Sequence, residues 1–236
     1  MVRDGDLGPV RLVEVEYIQG HNAALTDHEQ GSARNWHFVP EKAGQSLVLG
    51  DIGSHAHHMV RYVTRQNFAR LTADIAATVP GRNAHDHAGV LFRLENGAPG
   101  VMWVTQAGAG AVHGLHFRVF GQHGGLEWFE ETPNQLFHSR LGAPALTYER
   151  GGPGLKPEAG HATRTGIGHP EGYQEAFAVL YADAAEAIVA RRLGRKPDPL
   201  ALDFPTVEDG AHTMAFIAAA VESSRTGSWV DCRPAL

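Results

Sequence analysis

The chain is poor in several things. One cysteine, Cys232, occurs in 236 residues, so no disulfide can close within it, and a reducing compartment is the natural setting. Only three lysines are present, Lys42, Lys156 and Lys196, which leaves few candidates for lysine-dependent chemistry. No apolar run approaches the ~18 residues needed to span a bilayer, and residues 1–9 are too polar for the core of a signal peptide. Positive charge is in deficit: 20 Lys and Arg stand against 26 Asp and Glu, a formal net charge of −6. That balance argues against nucleic acid as the main partner. Also missing is any strand, Gly-x-Gly-x-x-Gly turn and helix in succession, the phosphate cradle of dinucleotide-binding domains. Gly121, Gly124 and Gly125 have the wrong spacing and fall between strand candidates. A cytoplasmic protein with no membrane or nucleic-acid partner is expected.

What remains reads as an ordinary globular chain, 43% hydrophobic and 19% charged, long enough to bury a sizeable core. Residues 10–19 alternate, with Val13, Val15 and Tyr17 on one face and Glu14 and Glu16 on the other, the pattern of a half-buried strand. Residues 20–44 are polar and irregular, a long connection of the kind that often carries function, with Trp36 and Phe38 as anchors. Residues 45–64 place Leu47, Val48, Ile52, His55, Met59 and Val63 at helical spacing. Residues 68–125 alternate repeatedly and carry an Asn96-Gly97 turn, a strong hairpin signal, and shorter strand candidates follow up to Tyr148. A Gly- and Pro-rich loop is expected over 151–168. The spacing then predicts two helices. One, over 171–193, carries Phe177, Leu180, Tyr181, Ala184 and Ile188 on one stripe; the other opens at the Thr206-Val207-Glu208-Asp209 capping box and buries Met214, Ile217 and Val221. No boundary or repeat divides the chain. A single α+β domain over residues 1–236 is expected: a large, mostly antiparallel open sheet with helices packed on one face.

The chemistry concentrates in Gly50-Asp51-Ile52-Gly53-Ser54-His55. Residues four apart share a helix face, so Asp51 and His55 form a carboxylate–imidazole pair suited to moving a hydroxyl proton. The competing structural reading is a helix cap and a buried, satisfied histidine. Gly50 and Gly53 each weaken a helix by about 1 kcal/mol relative to alanine, and close approach of a ligand or strand is the natural reason to keep them. His57 and His58 extend the cluster, but on a helix they turn away from His55 by roughly 200° and 300°. His85-Asp86-His87 is a second candidate metal set, and His113 and His116 read as exposed polar positions on a sheet. His169 and Tyr173 sit after a flexible loop at a helix start, a place to meet substrate oxygens.

The order of strand, Gly-Asp-x-Gly-x-His helix, meander and two helices resembles the C-terminal domain of the Gfo/Idh/MocA family of NAD(P)-dependent sugar and polyol dehydrogenases. Three further stretches carry the resemblance: residues 5–11, the His169-Pro170-Glu171-Gly172-Tyr173 segment, and 205–210 followed by Val221-Glu222-Ser223-Ser224. The resemblance implies a substrate-binding and oligomerisation domain, inositol dehydrogenase-like, with Asp51 and His55 as the catalytic pair. His55 would take the hydroxyl proton while Asp51 orients substrate and imidazole. His169, Tyr173, Trp36 and His37 would contact the sugar or polyol. It also implies NAD or NADP, although the Rossmann half that binds the cofactor, and the Glu-Lys-Pro lysine it carries, are absent from this chain. Glu41-Lys42-Ala43 is not that motif, and Leu47 stands where the family has a small residue. The isolated chain is therefore expected to be inactive as a dehydrogenase, with Met1 an internal start, a fragment boundary or the start of a split gene, and with a Rossmann-bearing chain as a possible partner. Subunits are expected to pair through the apolar sheet face as a dimer or tetramer. Two other readings stay open: a non-catalytic carbohydrate- or partner-binding module, and a metal-dependent lyase or isomerase built on the histidines.

Overall fold

The structure is a computed structural model that describes residues 1–24 and 35–234. The strands are β1 (Val10–Gln19), β2 (Phe68–Ala76), β3 (His87–Leu94), β4 (Pro99–Thr105), β5 (His113–Gly121), β6 (Gly124–Phe129), β7 (Gln135–Arg140), β8 (Leu146–Glu149) and β9 (Val230–Asp231). The helices are α1 (Pro40–Ala43), α2 (Ser54–Thr64), α3 (Pro157–His161), α4 (Tyr173–Arg192) and α5 (Val207–Thr226). The nine strands form one sheet in the order β8-β7-β6-β5-β1-β4-β3-β2-β9. Every pairing is antiparallel except β1 with β4 at the centre. This is the expected α+β fold.

The strands form where period-two alternation meets turn chemistry. Along β1, Val13, Val15, Tyr17 and Gln19 are buried while Leu12 and the glutamates between them face the other way. Between β3 and β4 the chain reverses at Asn96-Gly97. Gly97 has φ 85°, a left-handed conformation that glycine adopts without a Cβ clash, and Asn96 Oδ1 accepts from the Ala98 amide at 2.9 Å. Gly100 lies opposite Phe92, and a Cβ there would overlap the Phe92 ring.

Helices α2 and α5 cover one sheet face. Phe68, Phe92 and Phe216 meet beneath them with ring centroids 4.2 Å and 5.5 Å apart. Strand β2 pairs with β9 only at Arg70 and Leu71, so its farther amides need other acceptors. Helix α5 supplies them: Ser223 Oγ accepts from Ala73 N at 3.0 Å, and Ser224 Oγ from Ile75 N at 3.1 Å. The β2–β3 connection winds around Asp86. Its carboxylate accepts from Thr78 N, Thr78 Oγ1 and Val79 N, and pairs with Arg82 at 2.9 Å. Both side chains of that pair are essentially inaccessible to solvent.

Two helical expectations are corrected. Over α4, the apolar stripe Phe177, Leu180, Tyr181 and Ile188 is exposed; the buried positions are Val179, Asp183 and Ala190. The helix starts at Tyr173, so Glu171 precedes it. Helix α5 does open on the expected capping box, with Thr206 N and Oγ1 both donating to Asp209 Oδ2, and Gly227 ends it at φ 66°. Its buried face, however, is Phe216, Ile217, Ala219, Ala220 and Ser223, and Met214 points to solvent. The expected loop over 151–168 contains the short helix α3, tied to α4 by His161 and Asp183 at 2.8 Å. No helix among the described residues is long and apolar enough to cross a membrane.

Two measurements test these supports. Asp86→Asn removes one charge of a buried, hydrogen-bonded ion pair and is expected to cost about 3–5 kcal/mol of unfolding free energy in urea titration; a loss below ~1 kcal/mol would refute the pairing as a structural element. Burial opposes the Asp209 charge, but hydrogen bonds from Thr206 and Arg61 and the Arg61 charge outweigh it and hold the carboxyl at about 2. A depressed folded-state value stabilises above the ordinary 3.8 and is lost as pH falls through about 2. Asp209→Asn should therefore lower stability at neutral pH, and the deficit should close on acidification through that window. A deficit independent of pH would contradict this account.

Candidate functional site

The Gly-Asp-x-Gly-x-His run is not a plain helix. Leu49–Gly53 forms a π turn that continues into α2. Wide turns of this kind occur mostly singly and often at functional sites. Gly53 is buried, and a Cβ there would come within 3.0 Å of Leu49 Cδ2; Gly50 faces open space, with only the Ala43 carbonyl at 3.9 Å. Close packing thus explains Gly53 but not Gly50. The turn buries Leu49, Ile52 and Gly53 and leaves Asp51 and His55 exposed.

Asp51 is anchored from beneath. Gln106 Nε2 donates to Asp51 Oδ2 at 2.6 Å. Gln106 is buried, and its Oε1 accepts from Asn22 Nδ2 at 3.4 Å while its amide donates to the Asp86 carbonyl at 2.9 Å. Arg82 donates to the Asn22 carbonyl at 2.6 Å. A buried polar chain therefore runs from the Arg82–Asp86 pair to one oxygen of Asp51.

His55 sits edge-on to Tyr17, ring centroids 6.3 Å apart. Burial, then the charges of Glu130, Asp51 and Tyr173, push the Tyr17 hydroxyl up to about 12 against a hydrogen bond with Gln19, so it keeps its proton at neutral pH. Gln19, buried at the end of β1, reaches His113 Nδ1 with its Nε2 at 2.9 Å. Tyr17 and Gln106 thus touch the pair directly and Gln19 and His113 adjoin them, and none stood among the expected site residues. The available signal was Gln19, a buried polar residue closing the inward stripe of β1. Gln19 ends β1 and Gln106 follows β4, so both lie at the carboxyl ends of the two parallel strands, where ligands gather in open parallel sheets. His113 is exposed at the start of β5, as read, and its Nδ1 meets Gln19.

The remaining expected residues are placed as follows. Tyr173 opens α4, is mostly exposed, and packs against Phe177 with tilted rings 4.9 Å apart; it adds a small contribution to the upward shift at Tyr17. The segment before it is clamped by Arg150 and Glu171. Glu171 accepts from Arg164 N at 2.9 Å, Thr165 N at 2.7 Å and Thr165 Oγ1 at 3.0 Å, and pairs with Arg150 at 2.7 Å. Burial would raise its carboxyl, but these bonds and the Arg150 charge hold it below the ordinary value. Arg150 also donates to the His169 carbonyl at 2.6 Å, leaving the His169 side chain exposed. Trp36 and His37 stack on each other at 3.8 Å. Among the described residues, no ring contact or hydrogen bond joins them to Asp51 or His55.

The histidines diverge. His57 is buried against Phe216 and Phe68 at 4.6 Å and 4.7 Å, 3.1 Å from Thr213 Oγ1, and burial drives its pKa well below the ordinary range. His58 is half-buried beside Tyr62, and burial lowers it too. His87 Nδ1 accepts from Trp103 Nε1 at 3.3 Å, and the Asp86 carboxylate is enclosed by its protein donors. Among the described residues, no three His, Cys, Asp or Glu side chains gather where they could hold a metal ion. Nor do the residues present fit a dinucleotide: the Gly121–Gly125 turn joins antiparallel β5 and β6 rather than a strand and a helix.

Comparison with known proteins places this geometry. Residues 1–127 match the family model described as the GFO/IDH/MocA C-terminal domain. The uncharacterised oxidoreductase YfiI of Bacillus subtilis (strain 168) is 32% identical over 234 residues, covering 98% of this chain and 60% of that protein. The crystal structure of an inositol dehydrogenase homologue from Azotobacter vinelandii complexed with NAD+ is 35% identical with a TM-score of 0.89, covering 98% of this chain and 60% of that one. The same homologue complexed with NADH and myo-inositol gives 34% identity and a TM-score of 0.84, covering 98% and 59%. The chain thus spans about 60% of the length of these relatives. On the motif, the fold and these matches together, the chain belongs to the GFO/IDH/MocA family and corresponds to its C-terminal domain.

Proposed function

We propose that the chain is the substrate-binding and oligomerisation domain, acting as one unit, of a sugar or polyol oxidoreductase that interconverts a secondary alcohol and a ketone. The observation that carries this reading is the pairing of exposed Asp51 and His55 over the Tyr17 hydroxyl in one cleft, with Asp51 held in place by Gln106. The relative complexed with NADH and myo-inositol supports a cyclic polyol as the class of substrate.

Oxidising a carbinol removes a hydride from carbon and a proton from oxygen. The residues here serve the proton. An imidazole whose ordinary pKa is near neutrality takes the hydroxyl proton and returns it in the reverse direction. Asp51 uses Oδ2 on Gln106 and presents its other oxygen to a substrate hydroxyl or to the imidazole. Tyr17, protonated at neutral pH, donates a hydrogen bond to the reacting oxygen and steadies it as charge develops. His169 and Tyr173 at the start of α4, and Trp36 and His37 in the long connection after β1, would contact the substrate's remaining hydroxyls. The hydride acceptor, NAD or NADP, belongs to a nucleotide-binding half outside these residues, in the same polypeptide or in a partner, so the isolated chain binds polyol without turning it over.

The open face of the sheet supports self-association. Leu12, Leu91, Val101, Trp103 and Phe120 are exposed there on neighbouring strands, and grouped apolar exposure of this kind often marks an interaction surface. Polar groups punctuate it: Arg118 pairs with Glu14 at 2.6 Å, and His116 lies between Glu16 and Glu127. A dimer or tetramer through this face is the proposed assembly.

Joined to its nucleotide-binding half, Asp51→Asn and His55→Ala are expected to lower kcat by about 10²–10⁴-fold. Because both side chains are exposed, unfolding free energy should change by less than ~0.5 kcal/mol. Unchanged kcat in both variants would refute the assignment. Sedimentation equilibrium should show a dimer or tetramer for the unmodified chain and a monomer for the Leu91→Asp, Trp103→Asp double variant; a mass indifferent to both substitutions would exclude this face as the interface.

A further inference from the structure

Glu130 lies just past β6, and its amide donates to the Leu115 carbonyl at 2.9 Å, extending the β5–β6 ladder one residue beyond the His116–Phe129 pair. Leu115 in turn faces Tyr17 across β5 and β1. Glu130 therefore falls in the cross-strand row of Tyr17 and Leu115, on the sheet face that carries α2 and His55. The segment that follows it adjoins the opposite wall of the cleft, where Gly172 approaches Pro133 just before Tyr173. The Tyr17 hydroxyl feels the Glu130 charge more strongly than that of Asp51.

Glu130 Oε2 is buried and has no hydrogen-bond partner among the described residues. An ionised carboxylate only accepts, and burying one without a donor is unfavourable. The Tyr17 hydroxyl in the same row does not bond it either, so a hydroxyl entering beside it would supply the missing donor.

We propose that Glu130 is a substrate-contacting residue that selects polyhydric substrates: Oε2 accepts a ring hydroxyl remote from the carbinol held between Asp51 and His55. This rests on the polyol reading above and adds a specificity determinant to it. Two carboxylates on opposite walls of one cleft, one beside the reacting carbon and one beyond it, favour a ring carrying several hydroxyls over a monohydric alcohol of the same size. Glu130 would thus bind and discriminate while His55 handles the proton.

The test is thermal unfolding of the 236-residue chain with and without myo-inositol, using cyclohexanol as the monohydric control, for the unmodified chain, Glu130→Gln, Glu130→Ala and Asp51→Asn. A ligand that binds the folded state raises Tm with its concentration. Myo-inositol, and not cyclohexanol, is expected to raise Tm of the unmodified chain. Both Glu130 variants should need at least tenfold more myo-inositol for the same rise. Without polyol, Glu130→Gln should unfold at the same temperature as the unmodified chain or above it, since no hydrogen bond to Oε2 is lost. Glu130 variants that respond like the unmodified chain while Asp51→Asn does not would overturn the Glu130 proposal and leave the polyol reading standing. A lower Tm for Glu130→Gln without polyol would assign Glu130 a structural role and overturn the proposal equally. No response to myo-inositol in any chain would overturn the polyol reading and this proposal together.

Discussion

The parallel pairing of β1 with β4 is the constraint on which the cleft depends. Adjacent parallel strands cannot be joined by a tight turn; the chain must leave the sheet and return over a dozen or more residues. Here that excursion contains α1, the π turn, α2, β2 and β3. The Asp51–His55 run is therefore laid across the sheet near the point where both parallel strands end. Gln19 ends one of them and Gln106 follows the other, and their side-chain amides reach His113 and Asp51 respectively. The π turn then completes the arrangement by leaving Asp51 and His55 exposed while Ile52 and Gly53 remain buried.

Behind that arrangement lies a buried polar chain whose value is positional rather than energetic. An ion pair such as Arg82–Asp86 gains Coulomb energy in the interior but forfeits hydration, so its net contribution to stability is small or even adverse. Once every acceptor site is filled, as the four donors to Asp86 nearly achieve, the pair has one low-energy geometry. That geometry sets the Asn22 carbonyl, the Gln106 amide and, through them, the Asp51 carboxylate. A fixed orientation is what proton transfer requires, since misplacement of reacting groups by as little as ~1 Å can cost orders of magnitude in rate.

The sheet divides the molecule into unequal halves. One face is filled by α2 and α5 over the Phe68, Phe92 and Phe216 cluster and carries the cleft at one end. The opposite face bears apolar side chains interleaved with glutamates, Arg118 and His116 and has no covering layer among the described residues. Strand β2, paired only briefly on its outer side, is protected by serine hydroxyls from α5, so its amides are not left as a template for edge pairing.

Local pattern was enough for much of this. Alternation along residues 10–19, the Asn96-Gly97 reversal, the Thr206–Asp209 capping box and the Gly227 stop each depend on interactions within a few residues, and each appears where it was read. The Asp51–His55 spacing was equally visible, because i and i+4 are neighbours in any helical turn. Helix α4 shows where local pattern fails. Its periodicity picks out Phe177, Leu180, Tyr181, Ala184 and Ile188 as one stripe, but packing selected Val179, Asp183 and Ala190 instead. The partners of the motif were out of reach for a different reason. Gln106 stands 55 residues from Asp51 along the chain, and Tyr17 and Glu130 meet in one row only because β1 pairs with β5 and β5 with β6 in a particular register. Sequence by itself determined the elements and the chemical pair, since both rest on short-range geometry. Which side chains surround that pair was decided by strand order and register, which follow from burial summed over the whole sheet and not from any single segment.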